Sequence, residues 1–352
     1  MKSMLALLAA AIGLAAPATA QTLGEQVASQ VAVDAKAARA DPTAMDGARI
    51  ALPGGVTGLP GLTYAALRGY RPLTLDLYLP PAKFAKAGPR PVIVIIHGGG
   101  WIFGNPRRTA AFQDWPRTLA RIAEQGYVVA AVSYRFASEA PFPAALQDVK
   151  SAIRWLRANA TRYDIDPDRF VSWGDSAGGQ LSALTSVTCG VAALEPKTGT
   201  DYGADLAPLP ATVSDCVQGG VAWYGAYDFT QPIGGPFPIW QHPYFDCHDK
   251  PCADDKLKPP SAVFYIDPKD PPMLLLHGVD DKSAPPAQSR EFLAKLQAAG
   301  VPAKLVMIPD VDHAWIGKTP EATREASRKA LALSIDFTQS VIGDKTIVGK
   351  GQ

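Results

Sequence analysis

A serine on a glycine-rich turn is the first residue in this sequence that could act as a nucleophile. The stretch Trp173–Gly179 (WGDSAGG) contains the pattern G-x-S-x-G, which places a serine on a tight strand-to-helix turn with its hydroxyl exposed. Flanking glycines let neighbouring backbone approach the turn, and the N-terminus of the following helix favours a developing negative charge. A short apolar strand precedes the motif and a helical pattern follows it. The sequence therefore predicts a nucleophilic Ser176 rather than an ordinary turn.

A second motif, His97–Trp101 (HGGGW), follows the apolar strand predicted over Pro91–Ile96 and is called the glycine loop below. Ester hydrolysis passes through a tetrahedral oxyanion, and backbone N–H groups aimed at that oxygen supply much of its stabilisation. We predict an oxyanion hole formed by the N–H groups of Gly99, Gly100 and Ala177. A phosphate-binding turn fits less well, because the loop lacks the lysine and Ser/Thr of a P-loop and the spacing of a dinucleotide motif.

A serine nucleophile needs a histidine base, and the chain has five histidines. When the residues follow the chain order serine, acid, histidine, the base comes last. His313 lies in the loop after the strand predicted over Ala303–Ile308, from where it can reach back over the turn at Ser176. We predict that His313 is the base. His277, which ends an apolar strand, is interpreted as structural.

The acid must orient the imidazole of His313 and stabilise its protonated form. Asp280 and Asp281 both follow the strand predicted over Met273–Leu276, at the carboxyl end where catalytic loops cluster. We predict that Asp281 is the acid, because Pro285 follows at a spacing that turns the chain into the next helix. Asp280 is then a neighbouring or loop-capping carboxylate. Two further aspartates adjoin His313 in sequence and are interpreted as loop residues: Asp310 and Asp312.

Alternating strand and helix patterns must position these residues. Continuous apolar runs such as Pro91–Ile96 (PVIVII) indicate strands covered on both faces, whereas the polar–apolar alternation of Leu73–Leu79 indicates a half-exposed edge strand. Helical spacing separates the strands, which implies right-handed crossovers. The predicted fold class is α/β, with a mainly parallel central sheet, helices on both faces and a loop insertion near the active site.

The predicted organisation has one catalytic domain. Residues 1–20 form a signal peptide, residues 21–60 an N-terminal extension, and residues 61–345 the α/β domain, with insertions at about 191–214 and 229–266. Both insertions are long, proline-rich and without clear periodicity. Loops of that length inside a compact domain usually form lids or pocket walls.

The first twenty residues have the organisation of a secretory signal. Lys2 supplies a positive charge, Met4–Ala16 is an apolar run, and Ala18–Ala20 is a small-x-small cleavage site, so the mature chain is predicted to start at about Gln21. A short membrane anchor is the alternative, but the run is too short to span a bilayer comfortably. We expect a periplasmic or secreted protein with no membrane span in the mature chain.

Export changes how the cysteines are interpreted, because disulfides persist in oxidising compartments. Four cysteines allow three pairings. We favour Cys189 with Cys216 and Cys247 with Cys252, and buried free thiols are the alternative. The 34 basic and 33 acidic residues leave a net charge of +1. This balance gives no electrostatic reason to expect nucleic acid or an anionic membrane as a partner.

Several segments together resemble the α/β-hydrolase superfamily, from about Leu73 to the final helix. They include PVIVIIHGGGW, VVAAVSYR, DPDRFVSWGDSAGG and PPMLLLHGVDD. Within the superfamily, the chain is similar to bacterial esterases with an HGGGW loop, near the hormone-sensitive-lipase-like carboxylesterases and the bifunctional-type feruloyl/acetyl-xylan esterases. The resemblance implies a triad of Ser176, Asp281 and His313. One departure is mild: many relatives have valine where this chain has Ala284, between the acid and Pro285.

The expected activity is hydrolysis of a small-molecule ester, small or aromatic, with acetyl and hydroxycinnamoyl esters as candidates. This chemistry needs no metal or organic cofactor. Trp101, next to the glycine loop, and Trp240, in the aromatic-rich second insertion, are candidate pocket walls; a core position for Trp101 is the alternative. The sequence leaves the oligomeric state open.

Three other functions are weighed against this one. The same triad could cleave an amide or formamide. The fold could also serve as a non-catalytic binding module, although all three triad positions are filled. Finally, His242, Asp246 and His248 could bind zinc, but their spacing matches no established zinc motif.

Overall fold

A computed structural model describes residues 21–31, 48–67, 69–196, 212–233, 242–247 and 251–343. The predicted signal peptide, Trp240 and His248 lie outside the described residues, as do parts of both predicted insertions.

The described residues form one nine-stranded sheet. Its strands in chain order are β1 (Ile50–Ala51), β2 (Thr57–Ala65), β3 (Leu73–Leu79), β4 (Arg90–Ile96), β5 (Val128–Val132), β6 (Ile165–Asp175), β7 (Gly219–Trp223), β8 (Met273–Gly278) and β9 (Ala303–Ile308).

The strands lie in the order β1-β2-β3-β5-β4-β6-β7-β8-β9. The pairs from β1 to β3 and the pair β3–β5 are antiparallel, and every pair from β5 through β4 to β9 is parallel. The carboxyl ends of the parallel strands therefore share one edge, where ligand and catalytic loops collect. The predicted α/β fold with a mainly parallel sheet is confirmed.

Helices cover both faces of this sheet. They are α1 (Leu23–Ser29), α2 (Trp115–Ala123), α3 (Ala144–Ala158), α4 (Ala160–Tyr163), α5 (Ala177–Val187), α6 (Asp254–Leu257), α7 (Ala287–Ala298) and α8 (Pro320–Ile342). The core cluster on one face takes residues from α1, α2 and α8, and the cluster on the other takes residues from α3, α5 and α7.

Strand β4 shows why the central strands are continuously apolar. Val92, Val94 and Ile96 contribute to one core cluster, whereas Ile93 and Ile95 contribute to the other. Successive side chains of a strand point to opposite faces, so a strand covered on both faces needs apolar residues at every position.

The prediction of an edge strand at Leu73–Leu79 is wrong. In the structure this strand is internal, because β2 pairs with it on one side and β5 on the other. The charged residue of the alternating pattern, Asp76, is buried and forms a bidentate ion pair with Arg107. β2 itself starts inside the region predicted as an extension, where Gly58, Pro60 and Gly61 obscure a strand pattern.

Two disulfides tie down the segments around the predicted insertions: Cys189–Cys216 and Cys247–Cys252, the pairing that the sequence favours. They fit an extracellular protein. Among the helices built from described residues, none combines the length and apolar character that crossing a membrane requires.

Candidate active site

Ser176 lies on a strained turn between β6 and α5. Its φ of 53° and ψ of −118° are rare for a residue with a side chain, and such strain occurs where surrounding structure enforces it. The Ser176 N–H donates to the carbonyl of Trp223 at 2.9 Å. A Cβ on Gly174 would lie 2.1 Å from the Gly178 carbonyl oxygen, so the turn requires glycine there. The local sequence thus produces the strand-to-helix turn that the motif predicts, with a half-buried Ser176.

The loops after β8 and β9 bring the acid and the base together. These strands are parallel neighbours, so both loops leave the same edge of the sheet. The Asp280 N–H donates to the Val311 carbonyl at 3.1 Å. The Asp312 carboxylate accepts the backbone N–H groups of His313 at 2.7 Å and Lys282 at 2.9 Å. Asp312, interpreted from sequence only as a loop residue, thereby joins the two loops.

The three predicted triad side chains form one hydrogen-bonded line. His313 Nε2 lies 2.8 Å from Ser176 Oγ, and His313 Nδ1 lies 2.8 Å from Asp281 Oδ2. Since a carboxylate only accepts, Nδ1 carries the hydrogen, and Nε2 is free to accept the proton of the serine hydroxyl. The geometry suits removal of that proton by the imidazole.

Asp281 is held as an anion despite its buried side chain. Burial opposes its ionisation, but hydrogen bonds from His277, His313 and the Ala284 N–H outweigh burial and hold its pKa below the usual range of an aspartate. Its Oδ1 accepts the N–H groups of Ser283 at 2.9 Å and Ala284 at 2.8 Å. A fixed anion at this position can stabilise a protonated imidazole.

The glycine loop passes close to the turn at Ser176. Gly99 has a φ of 120° and Gly100 a φ of 57°, conformations that favour glycine. Within the described part of the chain, no acceptor takes a hydrogen bond from the N–H groups of Gly99, Gly100 or Ala177. The three predicted oxyanion donors lie on the glycine loop and at the first residue of α5.

His97, at the start of the glycine loop, supports the loop from within the core. Its ring stacks on Tyr134 with 4.3 Å between centroids, and the Tyr134 hydroxyl donates to the His97 carbonyl at 2.9 Å. Burial lowers the pKa of His97 to about 4, so the ring is neutral at pH 7.

Asp175, the residue before the nucleophile, is a buried carboxylate that the sequence analysis left without a role. Its Oδ1 accepts the Gly98 N–H at 3.0 Å and the Thr109 hydroxyl at 3.4 Å. Burial raises the pKa of Asp175 to about 6, against the hydrogen bond from Gly98 and the nearby charge of His313. The position of Asp175 inside the WGDSAGG motif was the available sequence signal.

Trp101 packs in an aromatic cluster rather than on an open surface. Only 8% of the residue is exposed, and its ring stacks on Tyr244 with 4.3 Å between centroids. Its indole N–H donates to Gln180 Oε1 at 3.1 Å, which also accepts the Tyr244 hydroxyl at 3.3 Å. This burial favours the core alternative for Trp101 over a pocket wall; Gln180 had no sequence signal beyond its place in α5.

The alternative zinc site is only partly described. His242 Nδ1 accepts the Tyr244 N–H at 3.2 Å, and Asp246 pairs with Lys256 at 3.1 Å. Burial lowers the pKa of His242, against a hydrogen bond that its ring donates to the backbone carbonyl of Gly100. Among the described residues, no group of three or more metal-ligating side chains could hold an ion.

Comparison with known proteins identifies the family of this chain. A family model described as BD-FAE matches residues 75–296, more than half of the chain. Esterase LipQ of Mycobacterium tuberculosis is 31% identical over 288 residues, which cover 80% of this chain and 63% of LipQ. The probable carboxylic ester hydrolase LipM of the same organism is 30% identical over 246 residues, covering 68% of this chain and 53% of LipM. The chain thus spans between half and two thirds of the length of these two curated relatives.

Solved esterase structures have the same architecture, and this chain covers nearly the whole length of the two described here. A truncated form of a carbohydrate esterase from gut microbiota superposes with a TM-score of 0.62 and 26% identity, covering 82% of this chain and 97% of that one. A thermophilic esterase, Est2, from Thermogutta terrifontis superposes with a TM-score of 0.63 and 25% identity, covering 85% and 96% of the two chains.

Proposed function

Because the chain belongs to the BD-FAE family, among the hormone-sensitive-lipase-like bacterial carboxylesterases of the α/β-hydrolase fold, we propose that it hydrolyses carboxylic esters through a covalent acyl-enzyme on Ser176. One observation carries this proposal: the continuous line from Ser176 Oγ through His313 to Asp281, with 2.8 Å at each step.

Acylation follows from this line. His313 Nε2 takes the hydroxyl proton of Ser176 while Oγ forms a bond to the ester carbonyl carbon, and the carbonyl electron pair moves to oxygen. Asp281 stabilises the resulting imidazolium. His313 then gives its proton to the alkoxy oxygen as the C–O bond breaks, and the alcohol leaves. The acyl group remains on Ser176.

Deacylation repeats these steps with water in place of the serine. His313 takes a proton from water, the hydroxide oxygen bonds to the acyl carbon, and the Ser176 oxygen leaves with the proton that His313 holds. The carboxylic acid is released. In both halves, the N–H groups of Gly99, Gly100 and Ala177 would stabilise the oxyanion.

The test is a Ser176→Ala variant beside Ser138→Ala, a matched control with an exposed side chain. We expect Ser176→Ala to lose activity on p-nitrophenyl acetate by about five orders of magnitude or more and to escape labelling by a fluorophosphonate probe. Ser138→Ala should retain both properties. Hydrolysis at near wild-type rate by correctly folded Ser176→Ala would refute the proposal.

The proposed substrates are small or aromatic esters, including acetyl and hydroxycinnamoyl esters. Family membership and the structural likeness to a protein titled a carbohydrate esterase support this class. So do two exposed apolar side chains beside the glycine loop, Ile102 at 42% and Phe103 at 64% exposure, because exposed apolar groups at a site favour apolar ligands.

A substrate panel tests this class. We expect methyl ferulate, acetylated xylan or short p-nitrophenyl esters to exceed long-chain esters in kcat/KM, and an ester to exceed its matched amide. Faster cleavage of the amide would favour the amidase alternative.

We also propose that the protein is exported, which the two disulfides support. N-terminal sequencing of protein recovered outside the cytoplasm tests the predicted start near Gln21.

A further inference from the structure

A second histidine lies against the acid of the proposed triad. His277, at the end of β8, is fully buried, and its Nε2 lies 3.3 Å from Asp281 Oδ2. The same oxygen also lies 2.8 Å from His313 Nδ1. One carboxylate oxygen therefore contacts two imidazoles, although the proposed chemistry uses only one.

The neighbours of His277 determine where its hydrogen lies. Nε2 is 2.8 Å from the Ala284 carbonyl oxygen as well as 3.3 Å from Asp281 Oδ2. Both are acceptors only, so Nε2 carries a hydrogen that it shares between them. Nδ1 lies 2.7 Å from the hydroxyl of Ser289 in α7, which can donate to it or accept from it. His277 is thus a donor to the acid in either protonation state.

We propose that His277 is a positioning residue: its Nε2–H holds Asp281 Oδ2 in line with His313 and withdraws part of the negative charge that Oδ2 presents to the base. This inference rests on the proposed function, because it assumes that His313 and Asp281 act together. It assigns no contact between His277 and substrate.

The charge effect has a definite sign. A hydrogen bond to a carboxylate disperses its charge, so losing the bond strengthens the attraction of Asp281 for protonated His313. The backbone N–H groups of Ser283 and Ala284 still bind Oδ1, so the carboxylate remains in the site, whereas Oδ2 loses the contact that fixes its direction toward His313. Removing the Nε2 donor should therefore favour protonated His313. As the pH falls, the variant should lose its base, and with it its activity, at a higher pH than the wild type does.

Other titratable groups also face this pair. Asp175 at the end of β6 interacts electrostatically with His313, and Tyr224 contacts the His313 ring with 4.7 Å between centroids. The charge of Asp281 also acts on Tyr224 and Tyr227. Asp312 binds the backbone of the histidine loop. All of these groups remain in variants at position 277, so a difference between two such variants reports on the substituted side chain.

Two amides separate positioning from packing. The side-chain nitrogen of His277→Gln can occupy the place of Nε2 and donate to Asp281, whereas that of His277→Asn reaches only the place of Nδ1, near Ser289. We expect His277→Asn to lose about tenfold in kcat, below the hundredfold that a 1 Å misplacement can cost. Its acid limb in the pH profile of kcat should move up by about half a unit or more. His277→Gln should recover most of the rate and the wild-type limb.

The outcomes distinguish three cases. Equal losses of kcat in both variants, with equal falls in thermal stability and no movement of the acid limb, would overturn the proposal and show a purely structural histidine. Wild-type kcat and pH profile in His277→Asn would overturn it as well. The downfield proton NMR resonance of His313 Nδ1–H, titrated without substrate, gives a readout independent of turnover. A shifted titration in His277→Asn with an enzyme that cleaves no ester would refute the proposed function alone.

Discussion

The carboxylate of Asp175 accepts the backbone N–H of Gly98 at 3.0 Å and so connects the end of β6, next to Ser176, to the glycine loop. The contact is close: a Cβ on Gly98 would lie 2.6 Å from Asp175 Oδ2. Gly98 and Asp175, 77 residues apart in the sequence, are thereby held together through a buried carboxylate. Burial of the Asp175 carboxylate should make the stability of the protein depend on pH.

Stability should depend on pH through Asp175. Its pKa rises from 3.8 to about 6 on burial, so the folded state binds this proton more tightly than the unfolded state. Ionisation of Asp175 therefore reduces the free energy of unfolding as pH rises through this window. Asp175→Asn cannot ionise but can still accept from Gly98. Its stability relative to wild type should rise between pH 4 and pH 7 by up to about 3 kcal/mol, measured by urea unfolding.

The control for this prediction is Asp255→Asn, which replaces an exposed carboxylate in α6. Its stability difference from wild type should stay nearly flat over the same pH range. A flat difference for Asp175→Asn as well would show that Asp175 ionises normally in the folded protein.

Substituting each of the adjacent aspartates after β8 should identify the acid. Asp281 contacts His313 at 2.8 Å, whereas Asp280 is exposed. Asp281→Asn should lower kcat by about three to four orders of magnitude, because an amide favours the wrong imidazole tautomer. Asp280→Asn should remain within about twofold of wild type. The reverse ranking in steady-state kinetics would move the acid to Asp280.

Alanine should be tolerated at Gly100 of the glycine loop but not at Gly99. A Cβ on Gly99 would lie 2.0 Å from the Phe103 carbonyl oxygen, whereas on Gly100 the nearest atom, His242 Nε2, would be 3.9 Å away. Gly99→Ala must displace the loop and its N–H groups, so kcat should fall by about two orders of magnitude or more. Gly100→Ala keeps its N–H and meets only backbone strain of about 1–2 kcal/mol.

Steady-state rates and melting temperatures of both glycine variants check this prediction. Comparable kcat values in Gly99→Ala and Gly100→Ala would mean that the close contact at Gly99 does not determine the position of the N–H groups of the glycine loop.

The two disulfides should contribute unequally to stability. Cys189–Cys216 spans 27 residues of sequence and Cys247–Cys252 spans 5. Since the entropy removed from the unfolded chain grows with loop length, paired Cys→Ser replacements should cost about 3.5 kcal/mol for the first and about 2 kcal/mol for the second. Chemical denaturation under non-reducing conditions measures both. A larger loss at Cys247–Cys252 would point to native contacts rather than loop length.

Sequence alone was sufficient for the parallel part of the sheet and for the motif around the nucleophile. Strand β4 is apolar from Pro91 to Ile96 because both of its faces are covered, and that pattern is readable residue by residue. The turn at Ser176 is similarly local, since its conformation depends on adjacent glycines and on the strand and helix that flank it. Such features depend on neighbours in sequence and therefore leave a signal there.

The sequence also predicted the line from Ser176 to Asp281 and both disulfide pairings, but only the tertiary structure decided several other contacts between distant groups. Leu73–Leu79 is internal because β2 pairs with it, and the glycines and proline within β2 obscure that strand in the sequence. Trp101 became a buried ring because Tyr244 packs on it. His277 and Asp175 acquired partners on other elements, Asp281 and Gly98. Burial, charge and hydrogen-bond geometry depend on distances in space, and a sequence specifies those distances only once its strands have found their order in the sheet.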